Sequence, residues 1–353
     1  MTYHALRPLL FRLDPESAHH RTLQLLALAS FSGVGRALLR RLFAYADPQL
    51  ETEVFGLRFP NPIGLAAGYD KDGAALGGLA ALGFGHLEAG TVTLEPQPGN
   101  PKPRVFREPE SSAVINSMGF PSKGAAAVLP RLQAARPTLG RTVLGVNLGK
   151  NKATPLKQAG DDYCRLVQRL GAAADYVTVN ISSPNTAGLR DLQHRAYLEP
   201  LLRAVLAERD THAPGRPLLV KIAPDLTFDE VDEVIDVALS VGVAGLIATN
   251  SLKSLPPRRP GGLTGLPLQA RSTEIVRHIH RQTGGKLPLI AVGGIHDSAA
   301  ALEKLQAGAS LVQIYTGLIY EGPALVGRLN RELAAWLQQR GLSHIREAVG
   351  TAL

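Results

Sequence analysis

The sequence is nearly without cysteine: Cys164 is the one such residue in 353. This excludes an internal disulfide framework and a cysteine-rich metal site, and nothing calls for an oxidising compartment. Cys164 falls in a helical-looking stretch and reads as a packing residue. No cluster of histidines and carboxylates has metal-ligand spacing, so no catalytic metal is expected. Aromatic residues are sparse, at 5%, and no basic stripe interleaves with them. Nucleic acid is therefore the weakest explanation of a formal charge of +8, which leaves an anionic lipid surface or an anionic substrate. Apolar runs as long as the ~20 residues of a membrane span are missing, as is a signal peptide with its cleavage site. The expected place is cytoplasmic or peripheral to a membrane.

What is present divides into residues 1–50 and residues 51–353. In the first part Leu6, Leu9, Leu10 and Leu13 fall at helical spacing. Two further apolar sets follow, Leu23, Leu25, Leu26 and Leu28, then Leu38, Leu39 and Leu42. Arg7, Arg12, Arg21, Arg36, Arg40 and Arg41 lie between them. The pattern predicts short amphipathic helices, broken at Ser32-Gly33, with an arginine-rich polar side. They can pack on their own domain or rest on an anionic membrane surface.

In the second part short apolar runs recur, each ending in polar or glycine residues. They are Ile63 to Ala66, His86 to Thr91, Thr142 to Leu148, Tyr176 to Ile181, Leu218 to Ile222, Gly245 to Thr249, Leu289 to Val292 and Leu311 to Tyr315. Helical patterns separate many of them, clearly at Asp162 to Leu170, Phe228 to Leu239, Leu268 to Arg281 and Ser298 to Ala307. Eight buried strands with intervening helices predict a (β/α)8 TIM barrel with its active site at the strands' C-terminal ends; a doubly wound open sheet is the alternative. Thr52 to Pro60 and Glu95 to Asn116 break the rhythm and are expected as short hairpins over the barrel ends.

If the barrel closes, the polar strand endings converge. The fourth ending, Asn180-Ile-Ser-Ser-Pro-Asn-Thr186, delivers two serines and two amides to one place with Pro184 fixing the turn. Ser183 is the candidate proton acceptor, and Asn180 and Asn185 are neutral hydrogen-bonding groups. Serine, asparagine and proline are also ordinary turn formers, so the string by itself admits a plain turn. Lys71 and Lys221 add positive charge, and Asn147 and Thr249 add neutral contacts. Gly293-Gly294 and Tyr315-Thr316-Gly317 end strands seven and eight, where bare backbone N–H groups of a barrel commonly surround a phosphate.

Five runs together resemble one family. They are Ala66-Ala-Gly-Tyr-Asp-Lys-Asp-Gly73, Asn116-Ser-Met-Gly-Phe120, Gly145-Val-Asn-Leu-Gly-Lys-Asn-Lys152, Asn180-Ile-Ser-Ser-Pro-Asn-Thr-Ala-Gly-Leu-Arg190 and Val312-Gln-Ile-Tyr-Thr316. Their order and wording are similar to the quinone-dependent (class 2) dihydroorotate dehydrogenases over nearly the whole chain. The resemblance implies oxidation of dihydroorotate to orotate with FMN in pyrimidine biosynthesis, and delivery of the electrons to a membrane quinone. It implies Ser183 as base, where soluble relatives use cysteine, with a water or Thr186 as relay. It implies substrate contacts from Lys71, Asn116, Ser117, Met118, Gly119, Phe120, Asn180, Asn185, Asn250 and Ser251. For FMN it implies Ala67, Gly68, Tyr69, Lys71, Thr91, Asn147, Asn180, Lys221, Thr249, Gly265, Gly294, Tyr315 and Thr316.

By the same resemblance the N-terminal helices form a tunnel from the membrane to the flavin, with His19, Arg107 and Tyr315 near the quinone head; for His19 a capping or surface role stays open. The location implied is peripheral, on the cytoplasmic face of the inner membrane, and a monomer is expected. Ser117 stands where many members have arginine, and Ser251 where threonine is common. Two rival readings remain: a soluble flavin dehydrogenase using fumarate or a nicotinamide, and a silent membrane-binding or nucleic-acid-binding module.

Overall fold

The computed structural model describes residues 3–352. Its centre is a closed barrel of eight parallel strands, Ile63–Leu65, His86–Val92, Val143–Leu148, Tyr176–Asn180, Leu218–Ile222, Gly245–Ala248, Leu289–Val292 and Leu311–Ile314. Each lies within one residue of its predicted run. The reason is physical: strands of a parallel sheet covered on both faces read as continuous apolar runs rather than as alternation. The TIM barrel is therefore the fold, and the open sheet is excluded by closure of Gly245–Ala248 onto both Leu218–Ile222 and Leu289–Val292.

The helices between strands also follow local sequence. Phe228–Val241 starts in a capping box, in which the Thr227 hydroxyl accepts from the Glu230 N–H, and stops at Gly242 with φ 79°. Inside the barrel one glycine makes space: a Cβ on Gly145 would lie 2.1 Å from Cζ of Tyr176. Only glycine there lets the Tyr176 ring lie in the barrel, where its hydroxyl reaches Glu88.

Both expected hairpins are present. Thr52–Val54 pairs with Leu57–Phe59 and brings Val54 and Phe59 against the apolar floor formed by Val143, Leu219, Ile247, Ile290 and Leu311. Val105–Glu108 pairs with Ala113–Asn116. Two short strands that the sequence did not mark, Leu252–Lys253 and Gly262–Gly265, extend this second hairpin into a four-stranded antiparallel sheet. The sheet puts Asn116 opposite Gly262 beside the strand ends, as a cover.

The first residues form helices Tyr3–Leu10, Pro15–Phe31 and Gly33–Phe43, with the break at Ser32, whose hydroxyl caps the third by accepting from the Gly35 N–H. The last two bend by 116° to each other, and no single described helix is long and apolar enough to cross a membrane. The long helix rests on the barrel helix Leu76–Ala80. There the Gly78 N–H donates to Ser30 Oγ at 2.7 Å, and a Cβ on Gly78 would come within 2.3 Å of the Leu26 carbonyl.

Candidate active site

Parallel register sets the site. Asn180 pairs with Lys221 and Gly90 pairs with Asn147, so polar residues at neighbouring strand ends stand side by side. They open on one cavity of about 400 Å³. Its lining includes Lys71, Thr91, Asn180, Ser183, Lys221 and Thr249 from the strand ends, Asn116 and Arg107 from the covering sheet, and Phe11, His19 and Leu25 from the N-terminal helices.

The amides form a connected set. Asn180 Nδ2 donates to Thr91 Oγ1 and to Asn147 Oδ1, both at 2.9 Å, and Thr91 donates to Asn147 Oδ1 at 2.5 Å. Asn250 Nδ2 donates to Ser182 Oγ at 3.0 Å, and Asn185 Nδ2 donates to Asn116 Oδ1 at 3.1 Å. Beneath them Glu88 accepts from Asn147, Tyr176, Thr178 and Gln313. With its Nδ2 donating to Glu88 and its Oδ1 accepting from Thr91 and Asn180, Asn147 is fully buried behind those two residues and is not part of the cavity wall. The Glu88 group was not singled out in the sequence, although a charged residue inside the apolar run His86 to Thr91 is the signal that marks it.

Ser183 is 5% exposed and stands on the cavity wall; its Oγ accepts from the Asn185 N–H at 3.2 Å, and its own hydroxyl proton has no acceptor among the described residues. The proton is thus free to meet a ligand. Thr186 is buried off the wall. Lys221, 4% exposed, lines the cavity with no hydrogen bond from its ammonium among the described residues. Burial lowers its pKa, and the nearby Glu88 charge opposes that shift. Lys71 donates to the Gly68 carbonyl at 2.5 Å, and burial pulls its pKa down to about 8 against the Asp72 charge.

Towards the N-terminal helices the wall turns neutral and aromatic. His19 meets Tyr69 edge to face at 4.9 Å, and Tyr69 meets Tyr315 at 5.6 Å. Burial, helped by the Lys71 charge, drives His19 down to about 3, so its imidazole is neutral. Burial also pushes Tyr69 up and Tyr315 up to about 12. Arg107 lies over the Phe11 ring at 4.6 Å and donates to the Leu10 and Leu13 carbonyls, tying the cover to the first helix.

Met118, Gly119, Phe120, Ser251, Ala67, Gly68, Gly265, Gly294 and Thr316 lie on the cavity as well. Ser117 does not: its N–H donates to the Arg104 carbonyl and its own carbonyl accepts from Asn100.

Residues 49–337 match the family model "Dihydroorotate dehydrogenase". The chain belongs to the dihydroorotate dehydrogenase family. It is 47% identical over 357 residues to the dihydroorotate dehydrogenase (quinone) of Anaeromyxobacter dehalogenans strain 2CP-1, covering 99% of this chain and 97% of that one. Against the dihydroorotate dehydrogenase (quinone) of Synechococcus sp. strain JA-3-3Ab identity is 51% over 350 residues, covering 94% and 91%. A crystal structure of the Eimeria tenella dihydroorotate dehydrogenase in complex with ferulenol superposes with a TM-score of 0.87 at 40% identity, over 96% of this chain and 95% of that one. The dihydroorotate dehydrogenase chain described here is thus an enzyme of that family, and its N-terminal helices lie within the matched length.

Proposed function

We propose that this chain oxidises (S)-dihydroorotate to orotate with FMN and passes the electrons to a membrane quinone, as a step of pyrimidine (UMP) biosynthesis. The observation that carries this reading is the continuity of the cavity. One space has Ser183, Asn180 and Lys221 at one end and Phe11, His19 and Leu25 of the N-terminal helices at the other. A polar half and an apolar half in one cavity suit two reactants of opposite character.

The residues present fit a phosphorylated flavin. An ammonium without a partner among the described residues, Lys221, enters the cavity, and Gly265, Gly293 and Gly294, at φ 96°, 132° and 76°, bring bare backbone to its wall beside Thr316. FMN, when bound, supplies a two-electron acceptor that a set of amides and hydroxyls lacks. Thr91, Asn180, Lys221, Thr249 and the glycine turns would hold it, with Asn147 acting from behind.

Ser183 removes the C5 proton of dihydroorotate while a hydride leaves C6. Serine is a weak base, so the proton passes on to a water or to Thr186. Asn116, Asn180, Asn185 and Asn250 present amides to the alternating N–H and C=O edge of the substrate ring, and Lys71 offers charge to its carboxylate or to the adjacent flavin. Lys221 offsets negative charge that develops during reduction.

Residues 1–50 act as a membrane-resting extension of the barrel formed by 51–353, and His19, Arg107 and Tyr315 meet the quinone head. Among the described residues, nine of the thirteen exposed large apolar side chains lie on those helices, from Leu6 to Leu42, which supports seating on the bilayer surface. The test is the visible spectrum of purified protein, recorded anaerobically. Bleaching of a flavin band by dihydroorotate and its return on adding quinone are expected. A band that dihydroorotate leaves unchanged removes the substrate, and colourless protein after reconstitution with FMN favours a binding module.

A further inference from the structure

A chain of hydrogen bonds, whose first members Glu16, Arg104 and Asn100 have no part in the chemistry above, runs from the first turn of helix Pro15–Phe31 to the turn that carries Ser183. It starts at Glu16, which Arg104 grips with two N–H groups, Nη2 to Oε1 at 2.8 Å and Nε to Oε2 at 3.3 Å. Both side chains are only 7% exposed. Burial raises the Glu16 pKa, but the hydrogen bonds and charge of Arg104, with Lys102, outweigh it and hold the carboxyl below the usual glutamate range. The same guanidinium turns Nη1 to the carbonyls of Pro98 and Asn100, at 2.7 and 2.8 Å, and so folds the loop between them around itself. A lysine offers no such fork, since several N–H groups in fixed directions are needed at once.

Asn100 carries the chain onward. Its Nδ2 donates to the carbonyls of Ser117 at 3.0 Å and Asn185 at 3.3 Å, and its Oδ1 accepts from Lys152 Nζ at 3.0 Å. Asn185 in turn donates from its backbone to Ser183 Oγ and from its side chain to Asn116. The segment after Asn180 has neither helix nor strand until Leu189, so contacts of this kind decide where Ser183 and Asn185 stand.

We propose that Glu16 and Arg104 are positioning residues for the dihydroorotate half of the site: they shape the loop Pro98 to Arg104 so that Asn100 holds the Ser183 to Asn185 turn in place. The N-terminal helices thereby do more than shelter the apolar end of the cavity. They set the geometry at which the substrate is held. The inference rests on the reading of Ser183 as base and Asn185 as substrate contact.

The experiment is anaerobic stopped-flow reduction of the FMN-loaded protein by dihydroorotate, without quinone, for wild type, Glu16→Gln, Asn100→Ala and the double variant. Glu16→Gln leaves a buried guanidinium without its counter-charge, and Asn100→Ala releases the carbonyl of Asn185. Each single variant is expected to weaken the dihydroorotate dissociation constant about tenfold, with FMN content unchanged, the scale expected for one buried polar partner lost. The double variant is expected to be no worse than the weaker single, because both changes cut the same chain. Losses that multiply in the double variant, or a Glu16→Gln protein that binds dihydroorotate like wild type, overturn the proposal. If Glu16→Gln does not retain FMN, Arg104→Lys, which keeps the charge and loses the fork, takes its place in the cycle with the same two readings. Wild-type protein that dihydroorotate fails to reduce refutes the proposed reaction instead, which separates the two failures.

Discussion

Single atoms decide the chemistry of this site, and two of them give sharp expectations. Ser183 Oγ is on the cavity wall with its proton uncommitted. Ser183→Ala is expected to slow flavin reduction by dihydroorotate by about 10²–10⁴-fold, the usual contribution of a placed base, while orotate still perturbs the flavin spectrum. Loss of orotate binding as well would make Ser183 a substrate ligand rather than a base. Lys71 gives the second. Burial lowers its pKa to about 8, so the ammonium is charged below that pH and neutral above it. If it meets the substrate carboxylate, orotate affinity is level below about pH 8 and falls above it, towards about tenfold per pH unit. Orotate titrations from pH 6 to about 9.5 read this directly, free of the proton-removal step, and a flat profile assigns Lys71 to the flavin. The place of Ser183 on the cavity wall was legible because a polar cluster after an apolar run is unusual. Asn100 and Arg104 were not, since each acts through partners far away in sequence, Asn100 through Asn185 and Arg104 through Glu16; Glu88 carries a local mark as a charge inside an apolar run, but its partners, such as Gln313, are distant.

At the level of elements, legibility followed how local the forces are. The eight barrel strands and the break at Ser32 were readable because burial on both faces and a helix cap leave their mark within a few residues. Leu252–Lys253 and Gly262–Gly265 were not, because such short strands exist by pairing onto Ala113–Asn116. The long N-terminal helix shows a similar dependence, since its place is set by Gly78 on the barrel. A Cβ there would meet the Leu26 carbonyl at 2.3 Å, so Gly78→Ala must push the helix outward. A loss of about 1–3 kcal/mol in stability is expected, the range for overpacking a close contact. With it the KM for quinone rises more than that for dihydroorotate, in steady-state assays that vary each substrate in turn. Equal shifts in both would mean that the helix position matters to the whole cavity.

Seen whole, the molecule has one apolar pole, and its charge is gathered where that helps. Leu28, Phe31 and Val34 are 69%, 85% and 80% exposed on the bent helix pair, while Arg21, Arg40 and Arg41 are exposed on the same helices and Arg12 on the turn before them. On the proposed membrane-resting reading, with a formal charge of +8 over the whole chain, attraction to an anionic surface would bring the molecule in and the apolar side chains would hold it there. The two contributions separate experimentally because salt screens only the first: the Debye length falls from about 10 Å at 0.1 M to about 3 Å at 1 M. Sedimentation with phosphatidylglycerol-containing vesicles is expected to weaken across that salt range, whereas the weaker binding to phosphatidylcholine vesicles stays level. Replacing Leu28 and Phe31 by aspartate should abolish both and raise the KM for a long-chain quinone in vesicles. Reduction by dihydroorotate with a soluble dye as acceptor should be unaffected, because neither side chain reaches the cavity wall. Retained vesicle binding by that double variant would leave the arginines as the sole anchor and require another explanation for an apolar surface that a soluble barrel has no use for.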